Sequence, residues 1–302
     1  MIKSEHDYLF HLKGGWNMTV NNMMLGRLFT RNVFLNTVKG NNSTYLSVIE
    51  NYLDNPENKN NKTLLHEIYC CMSKTYRNEY FYQNSLLNKL LLGKHSLNTT
   101  TALTQIPISK SKADFILING KAVVYEIKTE LDSFDRLNTQ INDYFKAFNH
   151  VCVVTSEGQY EKAIELLKNT SVGVYVLTRS NTISRYLRKE PVEDNTHLDH
   201  TSIFKVLNKR EYESILLEYY GSLPVSKQVF YYDECLNQFS KIPIMEAYSM
   251  TLKELKKRNR MRIKVNEFKG IPYELKSLIY FANPSSKEFA SINNFLKKEY
   301  GG

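Results

Sequence analysis

Over the first fifty residues, apolar positions such as Leu25, Leu28, Phe29 and Phe34 fall at helix-like intervals, so residues 1 to about 50 read as helical. NYLDNPENKNNKT (51–63), rich in Asn and carrying one Pro, reads as an exposed linker. From Leu64 to about Leu92 a period near 3.6 returns through Leu65, Ile68, Met72, Tyr76, Tyr80, Leu86, Leu87, Leu90 and Leu91, which predicts a long helix. At Thr99 the period changes. TTTALTQIPI predicts a first strand, with an edge or bend at Pro107. ADFILI, Asn119-Gly120 and AVVYEIK then form a strong hairpin signal. Asp132 or Ser133 can cap a helix whose apolar face holds Phe134, Leu137, Ile141, Tyr144, Phe145 and Phe148. VCVVTS (151–156) and VGVYVLT (172–178) read as buried strands on either side of a helix from Gln159 to Leu167.

Beyond about Ser180 the strand pattern stops. Helical patterns run through Arg210–Tyr220, Lys227–Ser240 and Ile244–Lys257, and LKELKKRNRMRIK (252–264) is the most basic run. The order α-β-β-β-α-β-α-β predicts an α/β fold, a mixed sheet flanked by helices. Its core would span 64–180, between a helical amino-terminal region with linker (1–63) and a helical carboxy-terminal region (181–302).

Lys and Arg outnumber Asp and Glu by 40 to 31, giving +9 and a pI near 9.1. That balance favours an anionic partner, nucleic acid first and a membrane surface second, over a basic surface that is merely solvated. Cys70, Cys71, Cys152 and Cys235 include no CxxC pair and read as reduced, mostly buried residues of a cytoplasmic protein. MIKSEHDYLFHLKGGWNM lacks the apolar core and cleavage site of a signal peptide, and no apolar run is long enough to span a bilayer. A cytoplasmic location without membrane attachment is expected.

Three charges interrupt the hairpin where a buried strand should reject them: Asp114, Glu126 and Lys128. Buried charges need partners, a metal, or both. Glu126 and Lys128, two apart, share one face of a strand, and Asp114 lies near them across the hairpin. Adjacent carboxylates repel, and a hard divalent cation holds both ionised. Magnesium suits such a pair and leaves positions for phosphate oxygens, with manganese as a substitute. Acid, acid and lysine around one metal form a hydrolytic centre for phosphodiesters. The plainer alternative is an ordinary Glu–Lys pair at a surface hairpin edge.

Asp114 followed by Glu126-Ile127-Lys128, in an αβββαβ order, resembles the PD-(D/E)xK superfamily of restriction-endonuclease-like nucleases. Gln140 and Tyr144 also fit the QxxxY pattern of its RecB-like branch. YRNEYFYQNSLLNKLLLGKHS (76–96), SKADFILING and YEIKTELDSFDRLNTQINDYFKAF together look like a poorly characterised bacterial family within that superfamily. The proline-aspartate of the superfamily's name is Ala113-Asp114 here, which keeps the ligand. The resemblance covers residues 76–155 and implies a magnesium-dependent nuclease acting on nucleic acid, DNA first. Asp114, Glu126 and the Ile127 carbonyl would be metal ligands, Glu79 would stand beside the metal, and Lys128 would serve the attacking water. Gln140 and Tyr144 would hold the substrate backbone or orient the Lys128 region, although Tyr144 also suits the apolar face and Glu79 a solvated helix face.

Lys112 and Arg136 are candidate phosphate contacts, and His95, after Gly93, could approach the site. Asp132 and Asp135 read as local helix electrostatics. His6, His11, His66, His150, His197 and His200 show no ligand spacing. The basic run could track a nucleic-acid backbone or be a solvated helix face. Further readings remain: a catalytically silent nucleic-acid-binding module, a cytoplasmic interaction protein whose charged pocket is structural, and a toxin-like nuclease acting on RNA.

The hairpin register decides whether the centre can form. A two-residue Asn119-Gly120 turn would pair Ile118 with Lys121 and turn Glu126 away from Asp114. An odd loop repairs this, with Leu117 opposite Lys121, Asp114 opposite Val124, and a positive φ at Gly120 but not at Asn119.

Overall fold

The computed structural model describes residues 18–259 and 261–301. Any helix before Met18, together with His6, His11 and Arg260 of the basic run, lies outside the described residues. The chain forms two compact units, one from the described residues up to Tyr76 and those from Pro284 onward, the other from Arg77 to Asn283.

The first unit is helical: Met18–Leu28, Arg31–Val38, Ser43–Tyr52, Asn61–Thr75 and Ser286–Lys297. The Asn-rich linker earns its composition in Asn55 and Asn58, whose φ of 51° and 63° are left-handed, a region Asn tolerates better than most residues. Asn60 then caps the fourth helix by accepting from Thr63 N. The helix from Ser286 closes the unit. Phe295 packs edge-on against Phe34 and Tyr45, its carbonyl accepts from Asn61 Nδ2 at 2.9 Å, and Lys298 O accepts from Asn61 N at 2.9 Å.

The single helix expected over 64–92 is broken. Tyr76 leaves helical geometry, and Asn78 caps a new helix, Glu79–Leu86, by accepting from Phe81 N; a wider-wound segment, Leu87–Leu92, continues it. An Asn inside an apolar period acts here as a start signal.

The second unit is built on a mixed sheet. Its strands are β1 (Thr101–Leu103), β4 (Phe115–Asn119), β5 (Lys121–Lys128), β6 (Val151–Thr155), β7 (Gly173–Leu177) and β8 (Ile183–Lys189), in the order β1-β4-β5-β6-β7-β8. A separate two-stranded ribbon pairs β2 (Ile106–Ile108) with β3 (Ser111–Ala113). Only the β5–β6 and β6–β7 pairs are parallel. The α/β class therefore stands, with three corrections. TTTALTQIPI supplies two strands rather than one, because Gln105 turns at a φ of 55°. A strand follows Ser180: ISRYLRK forms β8 at the sheet edge, where charge on an exposed strand blocks further pairing and hides the strand pattern. Residues 181–283 belong to the same compact unit as the sheet instead of forming a separate helical region.

Cross-strand neighbours share a face, so Ile116, Ile118, Ala122 and Val124 line one side together with Val151, Val153 and Val174. Helices Leu137–Phe145, Tyr160–Leu167 and Ile244–Lys256 cover that side, and helices His200–Lys205, Lys209–Tyr220 and Tyr231–Phe239 extend the same apolar core. Phe115, Tyr125 and Tyr175 line the other side, where Phe115 meets Phe281 of helix Lys276–Ala282. All four cysteines are free, Cys152 and Cys235 buried and the adjacent pair half-buried. Among the described residues no helix is long and apolar enough to cross a membrane.

Candidate catalytic centre

The hairpin turns so tightly that Asn119 pairs with Lys121, leaving only Gly120 between them. Gly120 has a φ of 75°, while Asn119 is not among the residues with positive φ. The loop is odd, as the charges require, but the register lies two residues from the one expected. Phe115 faces Tyr125, and one step further Asp114 comes directly opposite Glu126. The shift brings the acids closer than the diagonal arrangement would.

Asp114 sits at the bend between β3 and β4. Its Oδ2 accepts from Ile127 N at 2.9 Å. Its own carbonyl is held by Thr104 Oγ1 at 2.8 Å and Gln83 Nε2 at 3.3 Å. Val124 N donates to His150 O on the β6 side, so by alternation the Ile127 amide and carbonyl both face the β4 side. There β4 has already ended, and the Ile127 carbonyl points at the Asp114 region.

Glu126 is 1% exposed and has three donors around it. Gln140 Nε2 donates to Oε1 at 2.5 Å, Lys128 Nζ lies 3.0 Å from the same oxygen, and the Tyr144 hydroxyl donates to Oε2 at 2.5 Å. Lys128 Nζ also donates to Gln140 Oε1 at 2.9 Å. Gln140 thus bridges acid and base. This works because residues four apart on a helix project together, and the helix Leu137–Phe145 lies on the face that carries Glu126 and Lys128. That helix begins at Leu137 without a side-chain cap. Asp132, expected at its start, instead accepts from Thr129 N and Oγ1 at 2.8 and 2.7 Å and fixes the exit from β5.

Burial, then the charges of Glu126 and Glu79, push the Asp114 carboxyl up to about 8, against the Ile127 amide and Lys128. Glu79 opens its helix and accepts from Gln105 Nε2 at 3.0 Å. Crowding by protein, then Glu126 and Asp132, raise its carboxyl, although Glu79 keeps an exposed position that limits the effect.

Asp114, Glu126, Lys128, Gln140 and Tyr144 are thus joined in one cluster, with Glu79 within electrostatic reach. Tyr144 belongs to the apolar face, the alternative its spacing allowed: its ring is fully buried, and its hydroxyl meets Glu126 and, at 3.0 Å, the Lys112 carbonyl, so it positions the acid. The Lys112 and Arg136 side chains are exposed, and among the described residues neither makes a hydrogen bond or ion pair with the cluster. His95 is removed from the centre: its Nδ1 meets Asn119 Nδ2 at 2.8 Å, at the turn, roughly 17 Å along the strand from Asp114. Sequence patterns missed Thr104, Gln83 and Gln105, which lie in the stretch read as one helix and one strand. They also missed Thr155, paired with Lys128 in register and carrying a buried hydroxyl without a hydrogen-bond partner. A Thr ending an apolar strand beside the ExK strand was the available signal.

Among the described residues no three His, Cys, Asp or Glu converge tightly enough to hold a metal by themselves. A hard cation that needs only one or two carboxylates still fits the donor set. Among the described residues Asp114 Oδ1 has no hydrogen-bond partner and Glu126 Oε2 has one donor for two lone pairs, and the Ile127 carbonyl faces the same side.

Residues 72–278 match the family described as Bacteriophage P4 protein cII. No curated protein and no solved structure matches the chain.

Proposed function

The chain belongs to the Bacteriophage P4 protein cII family, and on the geometry of the hairpin site we propose that it is a metal-dependent nuclease hydrolysing phosphodiester bonds, DNA being the first substrate to test. The observation that carries this reading is the hairpin register, which sets Asp114 opposite Glu126 with Lys128 on the same face. Nothing in packing calls for three charges there. A structural ion pair would need Glu126 and Lys128 alone; Asp114 caps the Ile127 amide, which an uncharged acceptor could do without setting a second carboxyl against Glu126.

Asp114, Glu126 and the Ile127 carbonyl would hold magnesium, with Glu79 at the rim. When bound, the cation supplies a Lewis acid for a phosphoryl oxygen and lowers the pKa of a water. The chain's own residues do the rest. Tyr144 and Gln140 fix the Glu126 carboxylate so that it needs little reorganisation. Lys128 Nζ has three donors, of which Glu126 and Gln140 take two. The third is left to orient a water or meet a phosphoryl oxygen. Lys112, exposed and within electrostatic reach of Glu79, adds positive charge for the substrate backbone.

The test is incubation of end-labelled single-stranded, double-stranded and branched DNA, and of RNA, with EDTA, magnesium or manganese. Cleavage should vanish in EDTA and return with either metal. Glu126→Gln and Lys128→Ala should abolish it while circular dichroism stays native. A variant cutting at the wild-type rate would remove that residue from the centre, and binding without cleavage under every metal would leave a nucleic-acid-binding module.

A further inference from the structure

The most basic run of the chain lies along the outer edge of the sheet. β1 is the edge strand, and its free side is lined by residues that follow helix Ile244–Lys256. Thr101 Oγ1 donates to Lys256 O at 2.7 Å, and Asn259 Nδ2 donates to Leu97 O and Thr100 O at 2.7 and 2.8 Å. These bonds fix the basic segment to the strand.

Two cavities open along this seam and share Asn259. One, of about 240 Å³, is lined by Asn98, Thr101, Lys253, Lys256, Lys257 and Asn259. The other, of about 230 Å³, continues along Ala102, Leu103 and Thr104 and has Tyr280 and Phe281 in its wall. Thr104 is the residue whose hydroxyl holds the Asp114 carbonyl at 2.8 Å. Successive residues of one strand thus lead from three lysines to the candidate catalytic centre.

The charges differ in how free they are. Arg258 is committed to the fold, with two bonds of 2.6 Å to Glu211 and one of 2.8 Å to Val206 O. Lys253 and Lys257 pair with Glu218 and Glu254 at 3.6 and 2.5 Å, but both lysine side chains remain more than half exposed. The Lys253 pair is exposed on both sides, weak, and exchanges readily with a phosphate, whereas Glu254 is buried and holds Lys257. Lys256 is exposed and has no acidic partner among the described residues.

We propose that this seam is a track for single-stranded nucleic acid, with phosphates on Lys253 and Lys256 and a base in the cavity beside Tyr280 and Phe281. A basic rim next to aromatic walls is the combination that single strands use, because their bases are free to leave the stack. A duplex keeps its bases paired and offers none to a cavity of this size. That the track delivers the strand for cleavage rests on the nuclease reading; the track itself does not.

The test is fluorescence anisotropy of the full chain with a labelled single-stranded oligonucleotide in EDTA, which separates binding from hydrolysis. The double variant Lys253→Ala/Lys256→Ala should bind about tenfold more weakly, and the slope of log K against log salt should shrink by about 1.4, near 0.7 per lost phosphate contact. The control double variant Lys227→Ala/Lys241→Ala, away from the seam, should bind as wild type. Unchanged affinity in the first variant, or an equal loss in the control, overturns the track. Duplex binding that falls as much as single-strand binding overturns the single-stranded occupant. Hydrolysis of bis(p-nitrophenyl) phosphate by the wild type, measured separately, tells a failed track from a failed catalytic centre.

Discussion

Replacing Asp114 by asparagine removes one of two acids that the hairpin sets opposite each other, while the amide oxygen can still accept from Ile127 N. The wild-type carboxyl is raised from 3.8 to about 8, an interval of about four pH units. Because the folded state holds this proton more tightly than the unfolded chain, the contribution of Asp114 to wild-type stability is greatest below about pH 4. It falls as pH rises and levels off above about 8. At about 1.4 kcal/mol per unit the ceiling is about 6 kcal/mol. Asp114 is only half-buried, and the charges around it are screened by water, which brings the expected loss to about 2–4 kcal/mol. Asp114→Asn escapes this loss. In urea unfolding followed by circular dichroism, the variant should match wild type near pH 4 and exceed it by about 2–4 kcal/mol at pH 8.5. Magnesium at pH 8.5 should raise the stability of wild type and leave the variant unchanged. A variant less stable than wild type at pH 8.5, or a difference between variant and wild type that does not grow from pH 5 to 8, would refute the placement of Asp114 against Glu126 and Glu79.

Three further outcomes follow from the same geometry. Tyr144→Phe keeps the buried ring but strips Glu126 of a hydroxyl donor, so stability should drop by about 1.5–3 kcal/mol and cleavage should lose kcat while KM holds, as read by chemical denaturation and steady-state kinetics. Gly120→Ala meets no neighbour within 4 Å but must hold a φ of 75°, so it should cost about 1–2 kcal/mol; no loss would show that the turn relaxes freely. Arg258→Ala leaves the largely buried Glu211 without its bidentate partner and should destabilise the fold by about 3–5 kcal/mol, whereas Lys256→Ala should stay within about 0.5 kcal/mol by the same measurement.

Much of the hairpin was legible because its period is simple. FILI and AVVY are apolar on both faces, so Glu126 and Lys128 stood out against them, and the two-residue alternation placed both on one side. The parity of the turn was also legible from the charges, but its register was not. Whether Asp114 faces Val124 or Glu126 depends on how closely the strands approach at Gly120, and alternation is blind to a shift of two. β8 was hidden for a different reason: an edge strand with one face in water can carry Arg, Lys and Tyr186 outward and lose its apolar signature. The break at Tyr76–Asn78 was masked because the apolar period runs on across it. Gln140 and Tyr144 were found by spacing, but only the packed helix shows that they grip Glu126, with the Tyr144 ring buried.

The first unit is written at both ends of the chain, and that sets an order of events during synthesis. Asn61 waits for Phe295 and Lys298, more than two hundred residues later, before its side chain and amide are satisfied. The sheet-bearing unit, continuous from Arg77 to Asn283, is complete on leaving the ribosome while the earlier helices still lack their last partner. Domains fold as they emerge, so the part made first is the part finished last. A chain truncated before Pro284 would carry an intact sheet-bearing unit with its candidate site, and amino-terminal helices with their apolar faces uncovered, a state that chaperones and proteases would recognise.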